Sequence, residues 1–113
     1  MLQAKDVFIG DEVMAALGND VRRAILRVLA ERPLPAGEIA MQFPISRPAV
    51  SKHLKLLFDA GLVGHKTAGT SRIYHLEKRG FSAGREWLDQ FWPDALGRFR
   101  MVAENTYEAK RDA

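Results

Sequence analysis

The stretch SRPAVSKHLKLLFDAG, residues 46–61, decides how the chain is read. Ser46 has the side chain of a helix N-cap, Pro48 sits where the N–H it lacks would be unpaired anyway, and Gly61 suits the left-handed residue that ends a helix. Between them, about 100° of rotation per residue divides the sequence into two faces. Val50, Leu54, Leu57 and Phe58 form an apolar stripe, and Pro48, Ser51, Lys52, Lys55 and Asp59 lie opposite it. The spacing predicts a helix over 47–60 whose buried side is hydrophobic and whose exposed side is small and cationic. His53 falls beside the stripe and reads as a packed side chain.

Working upstream, Phe43-Pro44-Ile45 makes a tight connection from a short helix predicted over 36–42. Arg32-Pro33-Leu34-Pro35 breaks the chain before it, because the residue ahead of each proline is pushed out of the helical region. Val21, Ala24, Ile25, Val28 and Leu29 recur at the spacing of a core-facing helix, capped by Asn19 and running to about Glu31, with Arg22, Arg23 and Arg27 outside the stripe. Asp11 reads as the cap of a short first helix that stops at Leu17-Gly18. Downstream, 62–68 and 71–77 are rich in β-branched and aromatic residues and flank Gly69-Thr70, which predicts a β-hairpin. From about Ser82 the pattern is helical again, with Leu88, Trp92, Ala95, Phe99, Val102 and Thr106 at three- and four-residue steps, and Pro93 must kink or divide that helix. The order is four helices, two strands and a long C-terminal helix: a mainly α fold with a two-stranded β-wing, a winged helix-turn-helix in one domain spanning 1–113.

Composition agrees. A chain of 113 residues with 47% hydrophobic and 27% charged residues has the proportions of one soluble globular domain. No apolar run approaches the roughly 20 residues of a bilayer span, and Asp6, Asp11 and Glu12 interrupt what a secretory signal would keep apolar, so a cytoplasmic location and no membrane partner are expected. Zero cysteines exclude disulfides, thiolate metal ligands and iron–sulfur clusters. The net charge of +3 is segregated: residues 21–79 hold eleven Lys/Arg against four Asp/Glu, a local +7, and the remainder is −4. That asymmetry points to a polyanionic partner for the middle of the chain.

A helix entering a major groove needs the exposed side described for 47–60. Arg47 is the expected base reader, since a guanidinium reaches the O6 and N7 of guanine with two hydrogen bonds; short Ser51 allows close approach, and Lys52 and Lys55 suit phosphates. Lys66, Thr67, Thr70 and Arg72 surround the hairpin tip, where a wing touches backbone or minor groove. Catalysis fails on geometry: Ser51 and His53 point to different sides of a helix, and no phosphate loop or metalloprotease motif is present, so no catalytic residue is expected and the chain is not read as an enzyme. His65 and His75 lie on facing strands as possible cross-strand neighbours, which is short of a ligand set, and no metal or cofactor is expected. A winged-helix module that binds protein, its basic face incidental, is the rival reading.

Residues 17–76, from LGNDVRRAIL through SRPAVSKHL and AGLV to the hairpin, resemble the ArsR-type winged helix repressors. The resemblance implies a homodimeric bacterial transcriptional repressor that binds a double-stranded operator, with Ser46, Arg47, Ser51, Lys52 and the wing around Arg72 in DNA contact. Its first and last helices would build the dimer, here 7–17 and 84–108, with Val13, Met14, Leu17, Leu88, Phe91, Trp92, Ala95, Phe99 and Val102 as interface residues. The metal sensors of the family use a Cys pair, or Asp/His and His/Glu ligands on the last helix. This chain has no Cys and no His after His75, and so is similar to the metal-independent small autorepressors. No inducer is identified by the sequence.

Overall fold

The computed structural model describes residues 4–91, and the side chains of residues 10–91. The elements run α1 (Ala4–Leu17), α2 (Asp20–Glu31), β1 (Leu34–Pro35), α3 (Ala36–Ala40), α4 (Arg47–Asp59), β2 (Val63–Ala68), β3 (Ser71–Leu76) and α5 (Lys78–Asp89). The expected winged helix-turn-helix order is present, with one addition. Leu34 and Pro35 form a third strand: they pair antiparallel with Tyr74 and Ile73, giving the order β1-β3-β2 where two strands were expected. The two prolines that break the helix also hold Leu34 extended, and Pro35 is tolerated because β1 is an edge with no further strand needing its N–H.

The helix ends follow the side chains that cap them. Asn19 accepts a hydrogen bond from the Arg22 N–H at 3.0 Å, and Ser46 accepts one from the Ala49 N–H at 3.2 Å. Gly61, at φ +75°, turns the chain out of α4 in the left-handed region that side-chain-bearing residues avoid. Val50, Leu54 and Leu57 are fully buried and meet Ile25, Leu29, Ile39, Leu62 and Tyr74 in one core. Each such side chain contributes about 1.5–3 kcal/mol, and together they fix which side of α4 is left to solvent.

Three expectations about elements need correction. The first helix starts at Ala4, not at Asp11, whose carboxylate instead accepts the Trp87 indole N–H at 2.6 Å. The helix after the wing starts at Lys78, not at about Ser82, and its described part runs to Asp89, ahead of the expected break at Pro93, which carries no N–H to offer the Asp89 carbonyl. Its continuation toward 108, with Trp92, Ala95, Phe99 and Val102, lies outside the described residues. Phe58, expected on the buried stripe, is 43% exposed and stacks on His65 with ring centroids 4.8 Å apart.

Candidate nucleic-acid interface

With Val50, Leu54 and Leu57 pinned inward, α4 presents Arg47, Pro48, Ser51, Lys52 and Lys55 to solvent, and Ser46 remains exposed at its N-terminus. The hairpin is a full antiparallel ladder from Val63↔Leu76 to Ala68↔Ser71, closed by Gly69-Thr70 with Gly69 at φ +63°. That places Lys66, Thr67, Thr70 and Arg72 on an exposed projection beside α4.

Two clefts organise these side chains. Ser51, Lys55 and Asp59 of α4, Arg72 of β3, and the aromatic group Phe58, His65 and Tyr74 line a cleft of about 400 Å³ between helix and wing. Arg47 belongs to the other, open cleft beside α3, with Pro35, Gly37, Glu38, Met41, Ile45 and Ser71. Its guanidinium lies 3.5 Å from where a Cβ on Gly37 would stand, so in the free protein it rests over the first turn of α3. Lys52, Lys66 and Thr70 are exposed and line neither cleft. Of the expected contact residues, Ser51, Lys55 and Arg72 are thus brought together in one cleft, and Arg47 lies in the other.

Not every basic residue of the +7 segment faces solvent freely. Arg22 donates through Nε to the Ala16 carbonyl at 2.8 Å and through Nη2 to the Ala15 carbonyl at 3.2 Å, and Arg23 donates to the Leu17 carbonyl at 2.7 Å. These cap the carbonyl end of α1, where the helix dipole favours a cation. From the sequence, Arg22 and Arg23 are known only to fall outside the apolar stripe of α2. The signal was their place just after the Leu17-Gly18-Asn19 turn, within reach of the carbonyls that the turn exposes. Arg22 also donates through Nη1 toward His53 Nδ1 at 3.4 Å, tying α4 to the α1–α2 junction. Desolvation, and then the Arg22 charge, hold the His53 pKa below its ordinary value.

The histidines of the hairpin are not a pair. Gly64 opposes His75 and His65 opposes Tyr74, so the two rings alternate to opposite sides of the ribbon. His65 stacks against Phe58 and meets Tyr74 edge-on at 5.3 Å, while His75 Nδ1 lies 3.0 Å from the Leu76 carbonyl oxygen. The residues expected at a dimer interface also divide. Val13 is fully buried within its own chain and packs on Gly84, and so supplies core rather than free surface. Met14 and Leu17 are half-buried against that core, whereas Leu88 and Phe91 are exposed. Phe81, which sequence reasoning did not single out, adds to the exposed apolar surface of α5.

A helix-turn-helix domain family model matches residues 17–65. The HTH-type transcriptional regulator Rv2034 of Mycobacterium tuberculosis is 45% identical over 95 residues, covering 84% of this chain and 89% of that protein. The transcriptional repressor SdpR of Bacillus subtilis is 31% identical over 81 residues, covering 72% and 90%. Among solved structures, an ArsR family transcriptional regulator, RHA00566, superposes with a TM-score of 0.65 at 31% identity, over 71% of this chain and 88% of that one. The homodimeric winged helix-turn-helix DNA-binding domain of Mb0332 from Mycobacterium bovis does so with a TM-score of 0.59 at 25% identity, over 88% and 82%. A cationic helix beside a basic hairpin, on a scaffold shared with these regulators over most of their length, places this chain in the ArsR-type family of winged helix-turn-helix transcriptional regulators.

Proposed function

We propose that the chain is a sequence-specific repressor that binds a palindromic double-stranded operator as a homodimer and senses no metal. The observation that carries this reading is the shared cleft: Ser51 and Lys55 from the helix and Arg72 from the wing converge where a helix seated in a major groove meets the flanking phosphates. Ser46, Arg47, Pro48 and Lys52 extend the surface along the helix toward base edges, and Lys66 and Thr70 extend it along the hairpin. The exposed apolar residues Phe81, Leu88 and Phe91 support self-association, as does the homodimeric state of the Mb0332 domain. A repressor role is supported by the likeness to SdpR. Metal independence rests on the absence of cysteine and on the alternation of His65 and His75 across the ribbon. Nothing in this surface calls for a cofactor or a catalytic residue.

The test is selection of duplex from a random pool, followed by binding of the selected and a scrambled duplex across a salt series. A palindromic consensus with salt-sensitive, sequence-dependent affinity is expected, unchanged when zinc, copper or cadmium salts are titrated in. Binding to neither duplex would favour the protein-interaction reading, and stoichiometric release by a metal would overturn metal independence.

A further inference from the structure

Lys55 and Asp59 stand one helical turn apart on the exposed side of α4, with Nζ 3.0 Å from Oδ2. Both line the cleft between helix and wing, where Asp59 is the one carboxylate among the described lining residues and Arg72 enters from the opposite wall. Helix stability does not account for the pair. Asp59 is the last residue of α4, where the dipole disfavours a negative charge, and a lysine four residues ahead of an acid is the weaker order of an i,i+4 pair. The two side chains are 76% and 53% exposed, so the contact is adjustable and its stabilisation small. Asp59 is thus poorly placed for helix stability and stands on the surface proposed for DNA, beside the lysine that it pairs.

We propose that Asp59 sets the affinity and the salt dependence of DNA binding by holding Lys55 in an ion pair that a DNA phosphate must displace. The proposal rests on the DNA-binding reading above and names a regulator of the same surface. When a phosphate takes Lys55, the Asp59 carboxylate is left uncompensated beside the backbone. Both consequences act against phosphate and neither involves a base, so the penalty is the same on every duplex. Asp59 is a positioning residue that works through Lys55, and it keeps a basic surface from adhering strongly to bulk DNA.

The experiment measures wild type, Asp59→Asn, Asp59→Glu, Lys55→Ala and the Lys55→Ala/Asp59→Asn double variant on the selected and the scrambled duplex at several salt concentrations. Asp59→Asn is expected to tighten both duplexes by about 3- to 10-fold, by the same factor, and to steepen log K against log salt. Asp59→Glu should stay near wild type. In the Lys55→Ala background the gain from Asp59→Asn should shrink, the coupling expected of residues in contact. Weaker or unchanged binding by Asp59→Asn would overturn the proposal, as would an equal gain with and without Lys55, which would mean simple repulsion of DNA by the carboxylate. A wild type that binds neither duplex overturns the DNA reading and this proposal with it. A wild type that binds while Asp59→Asn gains nothing overturns the role of Asp59 alone.

Discussion

Arg47 and Lys55 share the exposed side of α4 but have different neighbours, and their removal should therefore fail differently. Arg47 lies at the first turn of α4, beside α3 and away from the Lys55–Arg72 cleft. Arg47→Ala is expected to cost about 1–3 kcal/mol on the selected duplex and to flatten its preference over scrambled DNA. Lys55→Ala and Arg72→Ala should weaken both duplexes alike and lower the salt slope by roughly 1 for each phosphate that the variant no longer neutralises. Anisotropy titrations on both DNAs separate the two patterns, and an intact specificity ratio in Arg47→Ala would move base reading to Ser51 or Lys52. His53 gives a stability prediction. Its folded pKa lies below the ordinary value of about 6.5, so the folded state favours the neutral ring, and protons bind the unfolded chain first. The contribution of His53 is full above about pH 6.5 and is lost as pH falls through that value toward the folded pKa. Urea melts across this range should show stability declining toward acid, and His53→Gln should reduce the decline; an equal decline in the variant would remove His53 as its source.

At the scale of elements, the attachment of α5 depends on small residues at close approaches. Gly80 donates its N–H to the Gly61 carbonyl at 2.7 Å, and a Cβ on Gly80 would stand 2.6 Å from the Gly61 carbonyl carbon and oxygen. Backbone cannot yield there as a flexible side chain would. Gly80→Ala is therefore expected to destabilise the fold by about 1–3 kcal/mol, with α5 displaced from the end of α4. Thermal unfolding checks the magnitude, and a melting temperature equal to wild type would show that the helices separate there without cost. Gly84 meets the side chains of Val13 and Met14 of α1, and Gly10 meets the Trp87 side chain. Nothing in hydrophobic spacing marks a glycine as a meeting point between helices, so these close approaches were not legible in the sequence.

For the whole molecule, the exposed apolar surface of α5 is the feature that a monomer leaves unexplained. Phe81 is 40% exposed and Leu88 46%, flanking the side of α5 that Gly84 packs on α1, and Phe91, 58% exposed, follows just beyond the end of that helix. Sedimentation at micromolar concentration is expected to report twice the 12.7 kDa chain mass. Leu88→Glu with Phe91→Glu should shift the protein toward monomer and weaken binding to a two-half-site duplex more than to a single half-site. A wild-type monomer would defeat the dimer reading, and a variant that remains dimeric would place the interface elsewhere.

The helix-turn-helix and the wing are legible in the amino-acid sequence because those elements are written in local chemistry. Asn19 and Ser46 cap helices, Gly61 ends one, Gly69 turns the hairpin, and the spacing of Val50, Leu54 and Leu57 dictates which side of α4 is buried. The exposed positions of the expected DNA-facing residues followed from the same periodicity. What depended on distant parts of the chain was not legible. The pairing of Leu34-Pro35 with β3, the capping of α1 by Arg22 and Arg23, the stacking of Phe58 on His65 and the burial of Val13 against Gly84 all arise between residues far apart in sequence or across a turn. These contacts come from the folded arrangement, since a side chain's periodicity says which way it faces but not what it meets there.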